Sequence, residues 1–146
     1  YLSHMGVIKD AVEKNYKSVA IFEDDVELCE NFEEKFSSEF SLVPNNWDMV
    51  YLGWNKIAGM SVPTDNPEVI RIFGGYAIHA FIINQEAMQI ALKDFSENVM
   101  QADVYYADLQ NRVNAYSFTD QLCSQAPDWS DIDNRFVDYR WIFGWE

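Results

Sequence analysis

Basic residues are few in this sequence. Ten Lys and Arg stand against 24 Asp and Glu, a formal charge of −14 that repels a nucleic-acid backbone or an anionic membrane and favours cationic partners, metal ions above all. Cysteine is equally sparse. Cys29 and Cys123 lie far apart and outside any CxxC or Cys/His spacing, so neither a zinc site nor a disulfide framework is readable, and two reduced thiols in a cytosolic-type protein are the expectation. No run approaches the roughly 20 apolar residues of a transmembrane helix, and no charged segment precedes an apolar one as in a signal peptide. The chain therefore reads as soluble and cytoplasmic, at most peripheral to a membrane. Internal repeats and low-complexity stretches are also absent.

What is present is apolar and aromatic. With 146 residues, 49% of them hydrophobic, the chain can bury one real core, and it reads as a single domain over residues 1–146. Aromatics reach 16%, which serves core packing first and sugar-stacking faces second. Leu2, Met5, Ile8, Ala11 and Val12 recur at helical spacing and predict an amphipathic helix ending near Asn15. Ser18 to Phe22 is a short continuous apolar run of the kind buried in a parallel sheet. Asn31 with Glu34 resembles a capping box opening a helix that carries Phe32, Phe36 and Phe40. Asp48 to Gly53 predicts a second strand, Trp54 to Pro67 a long irregular loop, and Val69 to Phe73 and Ala77 to Asn84 two more strands. Helices follow around Glu86 to Leu92 and over Asp103 to Leu109, then a last strand over Val113 to Phe118. The tail, residues 125–146, is rich in aromatics without clear periodicity. Alternating helices and strands predict an α/β layered domain.

The first strand ends in Glu23, Asp24 and Asp25. Adjacent carboxylates repel, and each one drawn from water costs several kcal/mol unless a cation or donor compensates. In open α/β sheets ligands bind beyond the carboxyl ends of strands. Hard oxygen donors placed there suit Mg²⁺ or Mn²⁺, which keeps waters and completes its shell with substrate phosphates. A solvated turn is the bland alternative for the same three residues.

The order of landmarks resembles glycosyltransferase family 25, which includes lipooligosaccharide and collagen galactosyltransferases. Leu2-Ser3-His4 matches a helix start, Glu23-Asp24-Asp25 closes the apolar strand, and Trp47-Asp48 with Tyr51-Leu52-Gly53 matches a third element. Ile78-His79-Ala80-Phe81 is similar to the family's His-Ala-Tyr strand, with Phe81 for Tyr, and Gln125 with Ser130-Asp131-Ile132 is similar to its Gln…Ser-Asp-Ile close. The resemblance implies a GT-A-like nucleotide-diphospho-sugar-binding sandwich, a UDP-sugar donor and Mn²⁺ (or Mg²⁺). It implies inverting transfer of a hexose, galactose or glucose, to a hydroxyl of a glycan or protein, as in lipopolysaccharide biosynthesis. The family's upstream strand and helix, with their basic stretch, have no counterpart before Tyr1, so a fragment or shortened form is expected. Lys56 and Arg71, the nearest plausible cations for a diphosphate, sit in no recognisable phosphate loop.

Residue by residue, the resemblance makes Asp25 the leading metal ligand, with Glu23 or Asp24 reaching the metal through water or touching the donor ribose. Asp131 and Asp103 are the candidates for the base that takes the acceptor proton, Asp131 ahead. Asp103 opens a predicted helix, whose positive dipole end is expected to hold its carboxylate ionised. His79 is a hydrogen-bonded core residue or faces the diphosphate or metal. Trp54 stacks on a sugar or packs at the rim, and His4 reads as structural. The alternative to an enzyme is a non-catalytic glycosyltransferase-like module that binds a partner through its aromatic tail.

Overall fold

The computed structural model describes residues 2–55, 60–97, 101–130, 134–138 and 140–143. Helix α1 (Leu2–Glu13) buries Met5, Ile8 and Ala11 along one stripe. It closes where Asn15 turns left-handed at φ 58. There the Tyr16 amide donates to the Ala11 carbonyl and the Asn15 amide to Val12, the paired bonds of a Schellman stop. Strand β1 (Ser18–Phe22) follows, then a turn through Asp24 and Asp25 into the short β2 (Val26–Leu28).

Helix α2 (Phe32–Phe40) presents the expected Phe stripe, with ring centroids 5.7 Å apart for Phe32 and Phe36 and 5.2 Å for Phe36 and Phe40. Its start differs from expectation. Asn31 is left-handed at φ 56 and its side chain makes no cap hydrogen bond, so the capping box does not form; a capping side chain needs an extended N-cap residue to reach back to the first turn.

Strands β3 (Met49–Asn55), β4 (Met60–Pro63), β5 (Val69–Phe73) and β6 (Tyr76–Asn84) precede α3 (Gln85–Glu97) and α4 (Ala102–Leu109), and β7 (Ala115–Phe118) completes the main sheet. Its order is β1-β6-β3-β7-β5-β4. Only β3 and β7 pair in parallel, the other neighbours being antiparallel. Because β6 opposes both β1 and β3, strands β1, β3 and β7 all point the same way. The domain is thus α/β with a mixed sheet.

Three expectations change. Strand β1 is not a buried parallel strand; it is an edge strand with β6 as its one partner, and Ile21 is its single buried residue. A strand with one neighbour and one covered face keeps only alternate side chains from water. The stretch expected as a loop holds Trp54 and Asn55 at the end of β3 and strand β4, with residues 56–59 outside those described. Beyond β7 the chain builds further strands, β8 (Cys123–Gln125), β9 (Asp128–Ser130) and β10 (Arg135–Val137), and the turn of helix α5 (Arg140–Phe143). Strand β8 pairs with β2, β9 with β10, and α5 lies against β3 and β8.

Both sheet faces are covered, which is why Met49 to Trp54 are all buried. On one face α1, α3 and α4 pack over Met49, Tyr51, Ile72, Phe81 and Ile83; on the other α2 and β8 cover Val50, Leu52, Ala80, Ile82 and Phe118. Phe81 lies 5.6 Å from Tyr51 and 4.9 Å from Tyr106 between ring centroids, and such aromatic pairs add about 0.5–1.5 kcal/mol each beyond area burial.

Asp48 ties the strand starts together. Its carboxylate accepts from the Asn114 amide at 2.8 Å and from Asn84 Nδ2 at 3.1 Å, and Asn84 Oδ1 in turn accepts from the Ala87 amide in the first turn of α3. The Asp of the Trp-Asp landmark is accordingly a structural clamp.

Past Tyr51, β3 leaves its ladder with β7, and the register with β6 shifts at Gly53. The segment before β8 takes over. The Leu122 amide donates to the Leu52 carbonyl at 2.8 Å, and the Gln121 amide group brackets Trp54, accepting from its N–H and donating to its carbonyl. Gln110 does the same for Gly75, at 2.7 and 2.9 Å. Gly53 is where this seam is tightest: a Cβ there would collide with the Cys123 carbonyl oxygen and with His79 Nε2. Since the first is backbone and cannot swing away, Gly53→Ala should destabilise the fold by about 1–3 kcal/mol or more. Chemical denaturation that returns wild-type stability for this variant would refute the seam.

Candidate active site

Glu23, Asp24 and Asp25 leave the carboxyl end of β1 in a turn closed by the Val26 amide on the Glu23 carbonyl at 3.4 Å. The Glu23 amide is held by the His79 carbonyl at 2.8 Å, which extends the β1 and β6 pairing one residue past Phe22. From this point the carboxylates diverge. Glu23 turns to the α1 and α4 side, Asp25 turns to β2 and β8, and Asp24 stays exposed.

Glu23 Oε1 lies 3.5 Å from His4 Nε2. His4 is 7% exposed, its ring set against Phe81 and Tyr106. The His4 contact pulls the Glu23 carboxyl below the usual carboxylate range, outweighing the opposing effect of burial. Glu23 is therefore ionised across the physiological range.

Asp25 is the contrasting case. Its Oδ2 accepts from Gln125 Nε2 at 3.1 Å, while Oδ1 is buried with no hydrogen-bond partner among the described residues. Burial, helped by Glu23 and Asp24, pushes its carboxyl above the ordinary 3.8 despite the Gln125 bond. An orphaned carboxylate oxygen held back from water beside two further acids fits the negative end of a divalent cation site. Among the described residues no group of three or more His, Cys, Asp or Glu side chains is placed to hold a metal. A cation of the Mg²⁺ type does not require one, since it is commonly bound by one or two carboxylates, waters and substrate phosphates.

Asp103 sits in the first turn of α4, half-buried. Its carboxyl is raised, first by burial and then by Glu23, with His4 acting the other way. The helix end does not set this balance: desolvation and a neighbouring carboxylate outweigh a dipole effect that is typically 0.3–1 kcal/mol. Asp103, Glu23 and His4 thus share one electrostatic neighbourhood.

His79 is completely buried, and burial lowers its pKa to about 4, so its ring is neutral at physiological pH. Packed against Gly53 and hydrogen-bonded to the Cys123 backbone, it is the core residue of the two alternatives and exposes no atom to a diphosphate or metal. Trp54 is 2% exposed and lies in the core beneath Gly75, whose Cβ position would fall 2.6 Å from its Cε3. This corrects the expectation of a sugar-stacking ring, because a core indole has no free face. Asp131 lies outside the described residues.

The sequence reading missed Gln125 as the residue that orients Asp25, Gln121 as the clamp that brings β8 into place, and His4 as the partner of Glu23. Asp25 and Gln125 are 100 positions apart, and no local pattern announces such a pair. Two open cavities on the α2 side, of about 530 Å³ beside Asn46 and Tyr116 and about 190 Å³ beside Glu39 and Asp120, involve none of the expected site residues.

The acidic strand end, partly buried and with one Asp25 oxygen lacking a hydrogen-bond partner among the described residues, lies at the margin of a mixed α/β sheet. Among protein families, residues 1–73 match glycosyltransferase family 25 (LPS biosynthesis protein). The chain belongs to that family and is a glycosyltransferase. A comparison with curated proteins gave no match. The matched half carries Glu23, Asp24, Asp25 and Trp54, while His79, Asp103 and Asp131 lie beyond it. No helix among the described residues is long and apolar enough to cross a membrane.

The raised carboxyls have a measurable consequence. For Asp25 and Asp103 the folded chain binds a proton more tightly than the unfolded one. Each carboxylate therefore lowers stability at neutral pH, and the loss is recovered as pH falls through the raised value. Without ligand, Asp25→Asn and Asp103→Asn should melt at or above the wild type at pH 7, the gap closing toward pH 4. Thermal melts in which both variants are least stable relative to wild type at pH 7 would contradict this account.

Proposed function

We propose that the chain is a metal-dependent, inverting hexosyltransferase of GT-A-like architecture, moving galactose or glucose from a UDP-sugar to a hydroxyl of a glycan or protein. The observation that carries this reading is Asp25: one oxygen is oriented by Gln125, the other is buried with no partner among the described residues, and two more acids precede it after β1. Family membership supplies the reaction class. Asp25 would hold Mn²⁺ or Mg²⁺, with Glu23 or Asp24 completing the set through water or contacting the donor ribose. When bound, that cation supplies Lewis-acid stabilisation of the negative charge on the departing diphosphate.

The remaining chemistry belongs to the protein. An inverting transfer is a single displacement: the acceptor oxygen bonds to the anomeric carbon, the bond to UDP breaks with its electron pair, and a base removes the acceptor proton. Asp103 is suited to the last task, because a half-buried carboxyl raised by a neighbouring acid gains basicity toward the incoming hydroxyl. Asp131 is the other candidate base.

UDP with Mn²⁺ should raise the melting temperature of the wild type, and Asp25→Ala should abolish the shift. Asp103→Asn should retain the shift while lowering kcat for hexose transfer about 100-fold or more, the contribution expected of a general base. If no UDP-sugar and metal pair shifts the wild type, the proposal fails. If Asp103→Asn turns over normally, the base is elsewhere.

A further inference from the structure

We propose that His4 is a positioning residue of the donor site: its Nε2, carried on α1 and fixed between two aromatic rings, sets the orientation of the Glu23 carboxylate for the nucleotide-sugar. This inference rests on the donor-site reading above and adds to it a residue that sequence reasoning treated as packing.

Glu23 needs such a group. It follows an edge strand with a single partner, and its backbone is fixed only as far as the amide that meets the His79 carbonyl. Its side chain is one-third exposed and carries three rotatable bonds. Left to itself, a glutamate in that setting samples several rotamers, and the carboxylate has no fixed address. His4 supplies one, with Nε2 at 3.5 Å from Oε1.

The imidazole is itself immobile. Its side chain is 9% exposed, its ring centroid lies 5.9 Å from that of Phe81 and 5.8 Å from that of Tyr106, and both neighbours are completely buried. A rigid group touching a mobile one transmits its position to it.

The ring also makes little sense as filler. His4 Nδ1 is buried with no hydrogen-bond partner among the described residues, a cost that a phenyl ring of similar shape would avoid. What the imidazole offers that a phenyl does not is Nε2 facing Glu23. His4 further stands in the neighbourhood of Asp103, on which it and Glu23 act in opposite senses. It is thus the donor set between the donor-side acid and the candidate base.

Two measurements test this. The first needs no ligand: ¹⁵N ring spectra of histidine-labelled wild type should show His4 carrying its proton on Nε2, and Glu23→Ala should disturb that preference. A neutral ring with its proton on Nδ1 in the wild type overturns the contact.

The second uses UDP-galactose and UDP-glucose with Mn²⁺. His4→Phe, which keeps the ring packing, should melt close to the wild type yet raise the donor KM about 10-fold or more, the usual cost of losing an orienting partner, with a smaller effect on kcat. His4→Gln, whose amide N–H replaces the Nε2 donor, should recover most of the affinity. Wild-type donor KM in His4→Phe, or loss of affinity that His4→Gln does not recover, overturns the proposal. Should the wild type itself bind neither sugar nucleotide, the donor role falls with the function reading, while the ring spectra still decide whether His4 holds Glu23.

Discussion

The site depends on β3 abandoning β7 after Tyr51. Up to that residue the two strands run in parallel; beyond it Leu52 and Trp54 are claimed by Leu122 and by the Gln121 side chain. A buried strand cannot leave its ladder without finding other partners for its amides and carbonyls, and Gln121 provides both in one group. The exchange steers the following residues over Gly53 and into β8, where Cys123 pairs with Leu28 and Gln125 pairs with Val26. Only because β8 lies there can Gln125 reach Asp25. The orientation of one carboxylate in the first quarter of the chain is thus settled by a departure in β3 and a glutamine near position 120.

The acids at the end of β1 are chemically unequal although they are neighbours in sequence. Glu23 has a donor and is held ionised; Asp25 has one oxygen satisfied and its charged form disfavoured; Asp24 faces water. Asp103, from a different layer, joins Glu23 through the shared influence of His4. Net charge alone distinguishes none of these, since all four carboxyls count alike in the same total. Environment separates them, and separated proton affinities are what allow one group to bind while another exchanges a proton.

Much of the architecture was legible from local pattern. The stripe of α1 and the Phe ladder of α2 follow from side-chain period, and the limits of β1 from a short continuous apolar run. The pairing of β1 was not legible, since five mostly apolar residues describe a buried parallel strand and an antiparallel edge strand equally well. Asn31 and Glu34 carry the letters of a capping box, yet the left-handed turn at Asn31 overrides them. Trp54 was ambiguous for a similar reason: an aromatic after a strand stacks on a ligand or enters the core, and here the absence of a side chain on Gly75 opens the room beneath it. The acidic strand end stood out in the sequence as a cluster of adjacent carboxylates. Its supports, Gln125 and His4, did not, because their partners lie in other elements.

Strand β1 carries the acids and is also the least secured strand on its side of the sheet, bonded to β6 alone. Local opening is cheapest where a strand has one neighbour, and whenever β1 lifts from β6 the Glu23 amide parts from the His79 carbonyl, leaving the acidic turn held only from its β8 side. Any ligand that engages these carboxylates must also clamp this margin of the sheet shut, so that ligand affinity and the hydrogen exchange of the β1 amides report a single equilibrium from two ends.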